Sequence, residues 1–157
     1  MTPLTPSTER GRILARLGQL IEMPADDLAA GAPLLAEELL ALGEAILEDW
    51  LHAHGATPTD GRVEGFRLLA LHRQGARGEP SFNACRETCR ELVYYRNLIR
   101  LEPTHEDLAR RVRLAAMVAH HLALFVGGKL EVAGLGTFCC SSRALRQQDT
   151  AATDMNA

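Results

Sequence analysis

The stretch "AAMVAHHLALFVGG", residues 115–128, sets two histidines in an otherwise apolar run. An imidazole can ligate metal, move protons or hydrogen-bond within a core. Adjacent residues on a helix point about 100° apart, so His120 and His121 diverge and do not readily share one ion. One helical row joins Leu114, Val118, His121 and Phe125; the next joins Arg113, Met117, His120 and Leu124. Desolvation on such a surface favours the neutral ring, whose nitrogens then need partners. At least one ring is therefore expected to turn inward, at the bundle centre or a subunit interface. The competing reading is a small-ligand or acid/base pocket in which Arg96, Tyr94 and Tyr95 join His120 and His121.

The thiols offer a second chemistry. Cys85 and Cys89 stand at i,i+4 and share a helical face, which could present two thiolates to a metal without being the CxxC knuckle of structural zinc sites. Their row, Phe82, Cys85, Cys89, Leu92 and Ile99, is interrupted only by Arg96, so the thiols are expected to pack as small hydrophobes. Cys139 and Cys140 are vicinal and would point to opposite faces of an extended segment. A Cys85/Cys89/Cys139/histidine metal centre is thus the alternative to packing, and no cofactor is expected. A guanidinium at Arg96 needs a carboxylate or an anionic ligand, with a structural ion pair as the expectation. Glu44, Glu48 and His52 form an i,i+4 ladder, but no Glu-x-x-His motif accompanies it, so a solvated face is expected. Neither a Walker A loop, a nucleophile elbow nor a dinucleotide fingerprint is present.

The elements that must hold these groups are helical. Hydrophobic residues make up 46% of the 157 residues and aromatic ones only 4%, a Leu/Ala-rich composition that favours helices over strands. Ser7 or Thr8 can cap a first helix that ends by Pro24, and "PADDLAAGAP" reads as a turn before Pro33 opens a second. That second helix carries Leu35, Leu39, Leu42, Ile46 and Trp50 on one stripe and Glu37, Glu44 and Glu48 on the opposite, wet face, closing at Gly55. Asp60 can cap a third helix through Val63, Phe66, Leu69 and Ala70, which expires in the basic "RQGARGEP". Ser81 begins a fourth, and Thr104 a fifth, with Asp107 answering the cap and Glu106/Arg110 and Asp107/Arg111 paired. Gly127 and Gly128 are expected to stop the fifth helix before a short extended or hairpin-like segment, "GGKLEVAGLGTFCC". Residues 1–140 then form one helical domain and residues 141–157 a disordered tail.

A net charge of −3 shows no basic excess for nucleic acid or for anionic membranes, and no signal-like or 18-residue uncharged apolar run occurs, so a cytoplasmic protein with reduced thiols is expected.

Lys129, Gly134, Gly136, Phe138, Arg143 and Arg146 fall in a pattern by which residues 104–146 resemble the helix-then-hairpin segment of the HU and integration host factor family of DNA-binding proteins. That resemblance implies DNA contact through Arg143 and Arg146, although "QQDTAATDMNA" stands where the family carries basic, Pro-tipped arms.

The sequence is therefore read as an all-α, single-domain bundle of about five helices with a central hairpin of the fourth and fifth. It is expected to be a non-enzymatic interaction or regulatory module that self-associates as a homodimer, with a protein partner possible. A ligand-binding or metal/thiol-dependent bundle enzyme is the alternative, and DNA association the third.

Overall fold

The Leu- and Ala-rich rows fold into five helices in the computed structural model, which describes residues 6–77 and 86–132. These are α1 (Pro6–Glu22), α2 (Ala25–Ala53), α3 (Arg67–Ala76), α4 (Arg86–Leu101) and α5 (Leu108–Val132). The all-α bundle expected from composition is the fold. No helix among the described residues is long and apolar enough to cross a membrane.

The first two helices are joined more tightly than the prolines suggest. The Pro24 carbonyl accepts the N–H groups of Asp27 and Leu28 at 3.0 Å each, and Asp26 and Asp27 lie in the first turn of α2, where carboxylates complement the helix dipole. "ADDLAAGAP" is therefore helix, not turn, and Pro33 lies inside α2 rather than at its start. An interior proline normally costs about 3 kcal/mol. Here the ring is exposed while Leu28, Ala32, Leu35 and Ala36 beside it are buried. Burial contributes roughly 1.5–3 kcal/mol for each leucine, enough to carry the helix through.

At 29 residues and 1.5 Å per residue, α2 is about 44 Å long, and it forms the spine of the bundle. The largest face of α5 lies on α2, with smaller ones on α4 and α1, so the α4–α5 hairpin is not the centre. Leu40, Leu47 and Leu51 are buried along with Leu35, Leu39, Ile46 and Trp50, and α2 is thus covered on more than one side. Gly43 makes a close crossing possible: a Cβ there would stand 2.9 Å from Leu92 Cδ2 of α4 and 3.2 Å from Leu68 Cδ1 of α3.

On α5 the buried row is Leu108, Val112, Ala115, Ala116, Ala119, Leu122, Ala123, Val126 and Leu130. Its alanines let the neighbouring helices approach. The helix runs through Gly127 and Gly128 to Val132 instead of stopping, because Val126 and Leu130, one turn apart, are both fully buried. Two starts are also corrected. Residues 102–107 are turns: the His105 Nδ1 accepts the Asp107 N–H at 3.0 Å, the Leu108 N–H bonds to the His105 carbonyl at 3.1 Å, and helix begins only there. Arg111 consequently pairs with Glu102, at 3.1 Å, rather than with Asp107. The third helix begins at Arg67, after a tight turn, rather than at Asp60. Ser81, Cys85, the "GLGTFCC" segment with Cys139 and Cys140, Arg143, Arg146 and the tail lie outside the described residues.

Candidate functional site: a basic cleft between α3 and α4

The connection from α2 to α3 is pinned by two side chains of α3. Gln74 accepts the Thr59 N–H and donates to the Thr57 carbonyl, both at 2.8 Å. Arg67 donates from Nε to the Thr59 carbonyl at 2.9 Å and reaches Glu44 at 3.5 Å and Glu48 at 3.4 Å on α2. The Glu44/Glu48 ladder is therefore a half-buried dock for Arg67, not a solvated face. Burial pushes the Glu44 carboxyl up and Arg67 opposes that shift; His52 is exposed.

These anchors present the turn Val63–Phe66, whose end residues exchange backbone hydrogen bonds of 3.0 and 2.9 Å. Both central residues have positive φ, 53° at Glu64 and 85° at Gly65, the pattern of a type I′ turn, which prefers Asn, Asp or Gly at the first centre. Among the described residues Glu64 is the non-glycine that adopts this region, at a cost on the order of 1 kcal/mol. Its carboxylate meets Arg90 of α4 at 2.7 Å.

Behind that pair opens a cleft. Leu69, His72, Arg73 and Ala76 of α3 and its C-cap Arg77 recur at three-four spacing and so share one face. Arg86 and Arg90 stand at i,i+4 on α4. Together with Val63 they line a cavity of about 350 Å³, at the lower end of small-molecule sites. Val63, Leu69 and Ala76 are its apolar part, and His72 is buried. Arg73, Arg77 and Arg86 are exposed. The Glu64 carboxyl is held below its usual range, first by the hydrogen bond and charge of Arg90 and further by Arg73 and Arg86. Glu87 also bears on Arg90. Four guanidiniums thus line the cleft among the described residues, one of them paired with Glu64, in a chain whose net charge is −3. Guanidiniums stay protonated and present planar forks of donors, which suits phosphate and carboxylate. The arrangement can hold an anion.

No known family, curated protein or solved structure matches this chain. The HU-type resemblance of residues 104–146 stands on its motif alone. Lys129 lies within α5, 5.2 Å above the Phe125 ring, and not on the extended segment expected after Gly127 and Gly128.

The residues singled out from the sequence are not gathered here. His121 is exposed and His120 half-buried, its pKa lowered by desolvation and then by His121. Within the single chain neither ring reaches the bundle centre: both flank the buried alanine row. Arg96 donates to Glu37 at 2.9 Å and to Asn97 at 2.9 Å, and lies 5.3 Å from the Phe66 ring centroid. Arg100 shares Glu37 at 3.0 Å, so the Arg96 charge is met by α2, and the Glu37 side of α2 is not the wet face expected. Tyr94 is 58% exposed and stands edge-on to the half-buried Tyr95. Arg96 thus turns to Glu37, Asn97 and Phe66, and the two tyrosines to each other, rather than to the histidines. Cys89 is fully buried, its thiol pushed up to about 12 by desolvation, which suits packing and not thiolate chemistry. Among the described residues no three His, Cys, Asp or Glu side chains converge to hold a metal ion.

A wider groove of about 750 Å³ runs between α1 and α2, but its charges are met within the chain, Arg16 by Glu38 at 2.6 Å and Arg12 by Glu9 at 3.5 Å. The basic cleft escaped the sequence reading, although a signal was there. Arg73/Arg77 and Arg86/Arg90 are two like-charge i,i+4 pairs, each disfavoured by roughly 0.2–0.5 kcal/mol, bracketing one Gly/Pro-containing connection.

Proposed function

We propose that the protein is a ligand-binding module that captures an anionic small molecule in the α3–α4 cleft. The observation that carries this reading is the convergence of Arg73, Arg77, Arg86 and Arg90 on one cavity of ligand size. Calorimetric titration with pyrophosphate tests it. Saturable binding that weakens with added salt, as screening of exposed charge requires, and that falls several-fold in Arg73→Gln/Arg77→Gln is expected. Heat of dilution alone, or binding untouched by the double variant, contradicts it.

A second reading, self-association, is favoured by the outward face of α5, where Met117 is 50% exposed and His121 is exposed beside half-buried Leu114, Val118, Leu124 and Phe125. If this face pairs two chains, sedimentation shows a dimer for the native sequence and a monomer for Met117→Lys.

A further inference from the structure

Within the anion-binding reading of the α3–α4 cleft, Glu64 has a role of its own. Its carboxylate pairs at 2.7 Å with Arg90, one of the guanidiniums that line the cavity, with the charges of Arg73 and Arg86 also felt. It is carried there by a turn position that ordinarily takes Asn, Asp or Gly, and the side chain remains 59% exposed. The same turn contributes Val63 to the apolar part of the cavity, with Leu69 and Ala76. An internal anion on Arg90, beside the apolar side chains of Val63, Leu69 and Ala76, describes what an occupant must offer at each end.

We propose that Glu64 stands in for the anionic head of the ligand on Arg90, and that the ligand is a small amphiphile, a multiply charged phosphoryl head on an apolar body, which displaces it. A dianion outcompetes a single carboxylate because several guanidiniums share its charge. The body covers Val63, Leu69 and Ala76 as the head takes Arg90. Releasing the ligand lets Glu64 return.

Titrations of phenyl phosphate, inorganic phosphate and benzoate into the full chain and into Glu64→Gln and Glu64→Asn test this, the second variant keeping a residue suited to positive φ. Phenyl phosphate should bind best. Both variants should bind it about two- to fivefold tighter than the native chain, the range set by removal of a competing exposed ion pair, while Glu64→Asp, which keeps the charge, should not gain to that extent. Equal or weaker binding by both variants overturns the stand-in role, and phenyl phosphate no better than phosphate or benzoate overturns the ligand class. Either result leaves anion capture itself intact. If no anion binds native chain or variants, the anion-binding reading fails as well.

Discussion

Arg10 of α1 and Asp49 of α2 meet at 2.9 Å with side chains only 10% and 6% exposed. Desolvation raises the Asp49 pKa, and the charge and hydrogen bond of Arg10 oppose it. Removing one partner of such a pair leaves a buried charge unmet, which costs about 3–5 kcal/mol, whereas replacing both by apolar groups is often neutral. Arg10→Met is therefore expected to lower unfolding stability in urea by about 3 kcal/mol, and Arg10→Met/Asp49→Leu to restore most of it. Because the folded-state pKa of Asp49 is raised, the ionised carboxylate is the costly form. The Arg10→Met deficit should shrink as pH falls from neutral through that raised pKa. A deficit that grows on acidification contradicts this pairing.

Glu38 behaves in the opposite sense. Arg16 donates to it at 2.6 and 2.9 Å, and that hydrogen bonding holds its pKa below 4.5 against desolvation. Its stabilisation is present above the ordinary carboxyl pKa and is lost as pH falls through the depressed one. Both side chains are about a third exposed, so Glu38→Gln should cost no more than about 1 kcal/mol at neutral pH. Thermal melts should show the gap between native and variant closing in acid. A gap independent of pH would assign the cost to packing instead.

Gly127 and Gly43 separate two kinds of helical glycine. A Cβ at Gly127 meets nothing within 4 Å, so Gly127→Ala should stabilise by about 0.5–1 kcal/mol through the helix preference of alanine. Destabilisation would show that the chain turns there, as the sequence suggested. At Gly43 the new methyl would press on Leu92 and Leu68, both buried. Overpacking costs about 1–3 kcal/mol and outweighs the same preference, so Gly43→Ala should lower the melting temperature.

Cys89 should resist alkylation. Fully buried, with its thiol pushed up to about 12, it offers almost no thiolate at neutral pH. Mass spectrometry after iodoacetamide should find it unmodified in native protein and modified in denaturant. Rapid native modification would place it at an accessible surface.

The helical class and most helix cores were legible because Leu and Ala recur at three-four spacing, as in Leu35, Leu39, Ile46 and Trp50. Helix ends were less legible. Pro33 and the Gly127–Gly128 pair are local breakers overridden by the burial of Leu28, Leu35, Val126 and Leu130, an effect of neighbouring helices that no local pattern contains. The site was missed for a related reason. Arg73 and Arg77 on α3 meet Arg86 and Arg90 on α4 only once the two helices pack, and Glu64 joins them from a turn whose left-handed backbone its residue type does not announce. The histidines drew attention by their apolar setting, yet the row they flank is covered by alanine-mediated packing within the chain.

The most direct test of anion capture is a heteronuclear NMR titration with pyrophosphate that follows backbone amides and arginine Nε–H signals. Saturable shifts confined to Val63–Phe66, the Leu69–Arg77 face of α3 and Arg86–Arg90 are the expected result. Shifts absent at saturating salt-matched pyrophosphate, or centred on α5 around His120 and His121, would contradict it.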